Sequence, residues 1–231
     1  MNPPKVRATG AMTVRSVARA RVTRPRCAKT TRVTVLFADL RGYTGLAERL
    51  APARIVPLLD EFFGVLAGAT VLHGGHVFHM AGDGMMAGFG LDDPAGGGAG
   101  AGALGALAAG HEMLKNFAEL AGRWRHELAI ESGIGVGLHL GEVAMGLLGP
   151  PGHRRTTLVG DTVNVAARLC GRARAGELLL SSTVAAALDA GAAGGPVAQS
   201  FPVLQLPQFE LRGRSAPLDI WCIPASERLA F

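Results

Sequence analysis

The stretch VTVLFADLRGYTG, residues 33–45, decides the fold. Val33, Val35 and Phe37 alternate with Thr34, Leu36 and Ala38, the two-residue period of a strand. Both faces of the run are apolar, which predicts a strand inside a sheet rather than at its edge. Asp39 closes the run, and Gly42 and Gly45 loosen the backbone before a helical pattern begins near Leu46. A carboxylate at the end of a buried strand is costly unless positive charge meets it. By itself Asp39 reads equally as a helix cap, half of a buried ion pair, or a functional carboxylate.

Working outward, the 231 residues suit one domain of about 200 residues with a tail. With 48% apolar residues the chain has ample material for a core. No apolar, charge-free run predicts a transmembrane segment, and the Ala/Gly stretch at 95–110 is too weakly hydrophobic for one. Cys27, Cys170 and Cys222 are widely spaced, which excludes a disulfide framework or a zinc cluster and suits a reducing, cytoplasmic setting. Of the 23 Lys and Arg, nine lie in residues 1–32, which hold no acid. The remaining 14 stand against 18 Asp and Glu, so residues 33–231 carry a net charge of −4. The basic character is therefore a tail, residues 1–30, expected to be disordered because it has few large apolar residues. The domain is expected over residues 31–224, and residues 225–231 form a short C-terminal tail.

Leu46, Leu50, Ile55, Leu58, Phe62, Leu66 and Ala69 recur at helical spacing, with Pro52 at a break and Pro57 inside the pattern. His73-Gly74-Gly75 ends the element. Residues 76–90, HVFHMAGDGMMAGFG, predict a hairpin turning at Gly82-Asp83-Gly84. On a regular strand His76 and His79 point to opposite faces, which disfavours a histidine metal site. Residues 92–103 read as a loop, and a helix is expected from Leu104 to Arg123. Residues 130–149 predict two strands joined by a turn at Gly141, and PPGHRRT predicts a loop. A helix capped by Asp161 or Thr162 follows, with Asn164 and Arg168 four apart on one face and Val163, Ala167 and Cys170 towards another. An Asn and an Arg so placed ordinarily just face water. A strand at 177–181, a helix at 182–190 and a last hairpin turning at Gly213 complete the order. Hairpins alternating with helices predict an α+β sandwich on one mixed sheet. No GxGxxG opens a helix and no GxxxxGK[ST] occurs, so dinucleotide and P-loop readings fail.

Five segments in order, VTVLFADLRGYTGLAE, MAGDGMMAGFG, GIGVGLHLGEVAMGLLG, LVGDTVNVAARL and LRGRSAPLDIW, resemble the class III nucleotidyl cyclase catalytic domain across residues 31–224. The resemblance implies a ferredoxin-like βαββαβ core with extra C-terminal strands and a helix, acting as a head-to-tail homodimer with shared sites. It implies that Asp39, Asp83 and the Leu40 carbonyl hold two Mg2+ (or Mn2+) ions, with Gly42, Tyr43 and Thr44 near the phosphates. Asn164 and Arg168 match the pair that stabilises the transition state, supplied by the other chain. The base-reading positions fall on His79, where the family has a lysine, and Thr157. A phosphate-contacting arginine of some members falls on Gly135, and Arg212 or Arg214 is the candidate to supply its charge. The expected reaction is cyclisation of ATP to 3′,5′-cyclic AMP and pyrophosphate. Alternatives are a cyclase for GTP or a pyrimidine nucleotide, and a degenerate regulatory module. A nucleic-acid-binding protein rests on the tail alone and is opposed by the acidic domain.

Overall fold

The computed structural model describes residues 29–91, 99–191, 203–210 and 217–224. Strand β1 (Lys29–Arg41) leads through helices α1 (Tyr43–Arg49) and α2 (Pro52–Leu72) to the hairpin β2 (His76–Ala81) and β3 (Gly84–Phe89). Helix α3 (Ala99–Leu128) then returns to β4 (Gly133–Leu148) and β5 (Arg155–Val159). Helix α4 (Asp161–Arg172), β6 (Glu177–Ser181), α5 (Ser182–Gly191), β7 (Leu204–Phe209) and β8 (Leu218–Pro224) finish the domain. The sheet runs β2-β3-β1-β4-β6-β8-β7, with β5 attached to β4. All pairings are antiparallel except β4 with β6. The first four strands in the order β2-β3-β1-β4, with their two helical crossovers, form the expected ferredoxin-like core.

β1 is central, as its two apolar faces require. Leu36, Ala38 and Leu40 join the main core under α2, α3 and α5, whereas Val33 and Val35 pack with Ala166 of α4 on the opposite face. Phe62 of α2 meets Phe117 of α3 edge-on, ring centroids 5.8 Å apart. The described residues include one helix, α2, long and apolar enough to cross a membrane by length and composition. Its Ile55, Leu58, Phe62, Leu66 and Ala69 are nonetheless buried in the core.

Several sequence expectations are corrected. No turn interrupts residues 133–148. β4 is one 16-residue strand, held straight by pairing with all of β1 from Lys29↔Met145 to Arg41↔Gly133. Gly141 serves close packing instead: a Cβ there would lie 2.5 Å from Thr162 Oγ1. Arg155 and Thr156, expected as the end of a loop, begin β5, which pairs with Ala144–Leu148. The Arg-Thr-Thr run lacks apolar alternation because this part of the strand is largely exposed. Helix α3 starts at Ala99, five residues before the expected Leu104, and runs on to Leu128. Its first turn is glycine-rich because it sits tight on the sheet; a Cβ at Gly102 would be 3.0 Å from the Phe89 carbonyl. A bulge at Phe78 places His76 opposite Gly88 and His79 opposite Met86. The two histidines therefore share a face, against the strict two-residue alternation.

Candidate active site

Two ladders bring the carboxylates together. Asp39 stands opposite Gly84 in the β1–β3 register, and Leu40 donates its N–H to the Asp83 carbonyl at 2.9 Å. Gly82 makes the turn with φ 60°, a conformation an L side chain resists. Oδ1 of Asp39 faces the Gly84 backbone, next to Asp83. The Asp39 carboxyl is held above its usual range, first by burial and second by repulsion from Asp83, while Arg41 pulls the other way. Two carboxylates close enough to repel, plus the backbone carbonyl of Leu40, are hard oxygen donors suited to a divalent cation that keeps water or phosphate as its other ligands. Among the described residues no three His, Cys, Asp or Glu side chains cluster to make a closed protein cage. The donor set thus fits the implied Mg2+ or Mn2+.

Arg41 lies between Asp39 and the Gly42–Thr44 stretch expected near the phosphates. Its guanidinium ties the end of β1 to the C-terminal end of α4. Nη1 donates to Asp39 Oδ2 and Nη2 to the Cys170 carbonyl, while Nε donates to the Ala173 carbonyl at 3.0 Å. The signal was present in the sequence: residues two apart on a strand share a face, so Arg41 had to follow Asp39. The guanidinium covers Gly135, where a Cβ would come within 2.8 Å of Nε. Cys170 beneath it is pushed up to about 12, chiefly by burial, and is no thiolate at neutral pH.

Gly42, with φ 87°, is the N-cap of α1. Leu46 N–H bonds the Gly42 carbonyl, leaving the N–H groups of Tyr43, Thr44 and Gly45 without intrahelical acceptors. Thr44 is exposed. The Tyr43 side chain is half-buried against the core, so this residue can offer a phosphate its backbone rather than its ring. Arg212 and Arg214 lie outside the described residues.

Helix α4 lies along a glycine track on β4. A Cβ at Gly133 would be 2.5 Å from Ala175 Cβ, and one at Gly137 would be 2.5 Å from the Ala166 carbonyl. Gly160, rather than Asp161 or Thr162, caps the helix; Thr162 Oγ1 instead donates to the Glu142 carbonyl at 2.7 Å. Val165, Ala166, Leu169 and Cys170 are buried, whereas Val163 and Ala167 are only half-buried. Asn164 and Arg168 share the exposed face. Thr162 sits at Gly141 while Asp39 pairs with Gly135, six residues of strand away, about 20 Å at the usual rise. The start of α4, with Asn164 in its first turn, is thus far along the sheet from the carboxylates. The other expected half of the site is gathered near it: β2, carrying exposed His79, packs beside β5, carrying half-buried Thr157.

Comparison with known proteins gives the same architecture. The sequence model of the adenylate and guanylate cyclase catalytic domain matches residues 26–223. A curated adenylate cyclase of Anabaena cylindrica is 33% identical over 152 residues, 62% of this chain but 28% of that protein, so the chain spans under a third of this relative. The crystal structure of the adenylyl cyclase CyaB from P. aeruginosa superposes with a TM-score of 0.75 at 28% identity, covering 87% of this chain and 98% of that one. The guanylyl cyclase Cya2 gives 0.70 at 26%, covering 88% and 98%. With the family model spanning nearly the whole chain, this protein belongs to the adenylate and guanylate cyclase catalytic-domain family.

Proposed function

We propose that this chain cyclises a nucleoside triphosphate, ATP before others, to its 3′,5′-cyclic monophosphate with release of pyrophosphate, in a homodimer whose sites are shared. The observation that carries this is the pairing of Asp39 with Asp83 at one end of the sheet, while Asn164 and Arg168 are exposed on α4. Asn164, at the far start of α4, would then serve the triphosphate at the carboxylates of its mate, with Arg168 one turn further along the same exposed face. The β4–β5 arm supports a mate, since Leu147, Leu148 and Val159 stand exposed there.

Two Mg2+ or Mn2+ ions at Asp39, Asp83 and the Leu40 carbonyl would supply the charge that favours the 3′-oxyanion and the leaving pyrophosphate. The chain's own groups do the remainder. The N–H groups at the start of α1 hold phosphate oxygens. Asn164 orients the ribose, and Arg168 meets the charge that builds on the α-phosphate as the 3′-oxygen attacks. Thr157 and His79 face the base. Such a nucleotide-dependent reaction fits the cytoplasmic setting expected from the cysteines.

GTP is the second reading, favoured by one residue. His79 offers a single donor or acceptor according to tautomer, unlike a lysine. Incubation of the purified chain with Mn2+ and each of ATP, GTP, CTP and UTP tests both readings. Cyclic AMP as the main product is expected, cyclic GTP would move the assignment to the second reading, and no cyclic product from any would refute the enzyme.

A further inference from the structure

We propose that Arg41 is a phosphate-binding residue of this site, one that rests on Asp39 until cations and nucleotide arrive and then turns one N–H to the triphosphate; this rests on the cyclase reading above. Besides a long contact from Nη2 to Cys170 Sγ at 3.9 Å, the guanidinium makes three hydrogen bonds to oxygen, and they divide into two kinds. Nε and Nη2 are anchored to the carbonyls of Ala173 and Cys170, which close the C-terminal end of α4. Those acceptors are backbone, belong to a helix end that favours positive charge, and stay in place whatever binds. The third bond, from Nη1 to Asp39 Oδ2, goes to an oxygen that a cation would also seek.

A divalent ion on Asp39 neutralises the one acidic partner with which Arg41 forms an ion pair among the described residues. The guanidinium cannot lose its proton, so its charge must find another anion. The nearest anion in a charged site is the substrate. Two divalent ions offset the two carboxylates and only part of a triphosphate's charge, which leaves excess negative charge where Arg41 stands. The side chains of Arg41 and Asp39 are 23% and 34% exposed, so the pair is open to a ligand yet dry enough for a charge-assisted bond to count. Gly135 makes the seat, because any side chain there would occupy the guanidinium's place.

The test uses the full chain, with R41Q and R41K beside wild type, and calorimetry as the readout. The probes are Mn2+ alone and then 3′-deoxy-ATP with Mn2+, which cannot react because it lacks the attacking hydroxyl. R41Q should bind Mn2+ alone at least as tightly as wild type, since a competing cation is gone. It should bind 3′-deoxy-ATP about tenfold or more weakly, the worth of one charged hydrogen bond. R41K, which keeps the charge without the fork, should fall between, and it carries the same comparison if R41Q does not fold. Wild-type affinity for 3′-deoxy-ATP in both variants would overturn the assignment. So would loss of Mn2+ binding itself, which would make Arg41 a support for Asp39 alone. Failure of the wild-type chain to bind 3′-deoxy-ATP and, in its place, 3′-deoxy-GTP would bring down the cyclase reading, and this inference with it.

Discussion

Leu40 donates its backbone N–H to the carbonyl of Asp83 at 2.9 Å, and that bond sets the second carboxylate beside the first. The turn at Gly82-Asp83 is thereby fixed to the end of β1 rather than left to swing. The carboxylates repel, and the chain keeps them near one another with ladder hydrogen bonds and with Arg41.

That repulsion predicts a pH dependence for the cation-free chain. Asp39 binds its proton more tightly folded than unfolded, because burial and then Asp83 raise it above its usual 3.8. Its stabilising contribution is fully present below that value and is lost as pH rises through the folded one. Asp39→Asn removes the carboxylate and should raise the cation-free melting temperature at pH 7. The same variant should lose cyclase activity by about a hundredfold or more. A lower melting temperature would contradict the electrostatic account.

The glycine track makes a packing prediction. Gly137→Ala would put a methyl 2.5 Å from the Ala166 carbonyl, backbone that cannot step aside without moving α4. A loss of about 1–3 kcal/mol in chemical denaturation is expected, with reduced activity. Gly146→Ala, whose new methyl meets nothing within 4 Å, should leave stability nearly unchanged and is the control.

The exposed arm predicts assembly. Leu147→Asp or Leu148→Asp should shift the chain towards monomer in sedimentation velocity. These side chains are exposed, so the fold itself should change by no more than about 0.5 kcal/mol. Activity should fall with the dimer fraction. A full dimer with both leucines replaced would move the interface elsewhere.

The base preference turns on His79, exposed on β2 where that strand packs beside β5. His79→Lys should raise the ratio of ATP to GTP turnover. An unchanged ratio would remove His79 from base reading.

Much of this was legible in the sequence. The apolar faces of β1, the glycine-flanked Asp83 and the four-residue spacing of Asn164 and Arg168 each obey local periodicity. What escaped depended on neighbours distant in sequence. Gly141 looked like a turn because a glycine needed for helix packing and one needed for a bend are the same letter; only Thr162 above it tells them apart. The Ala/Gly start of α3 misled for the same reason, its small residues fitting against Phe89 and Gly90. The bulge at Phe78 breaks a period that no local signal interrupts. Arg41 was within reach of strand alternation, but its partners at Cys170 and Ala173 required the fold.

The shared site is tested most directly by mixing two inactive variants. Asp39→Ala and Arg168→Ala, each inactive alone, should regain about a quarter of wild-type cyclase activity when combined at equal amounts, since half of the dimers would be mixed and each would hold one intact site. Two variants that stay inactive together, while sedimentation shows that they exchange subunits, would contradict a site built from two chains.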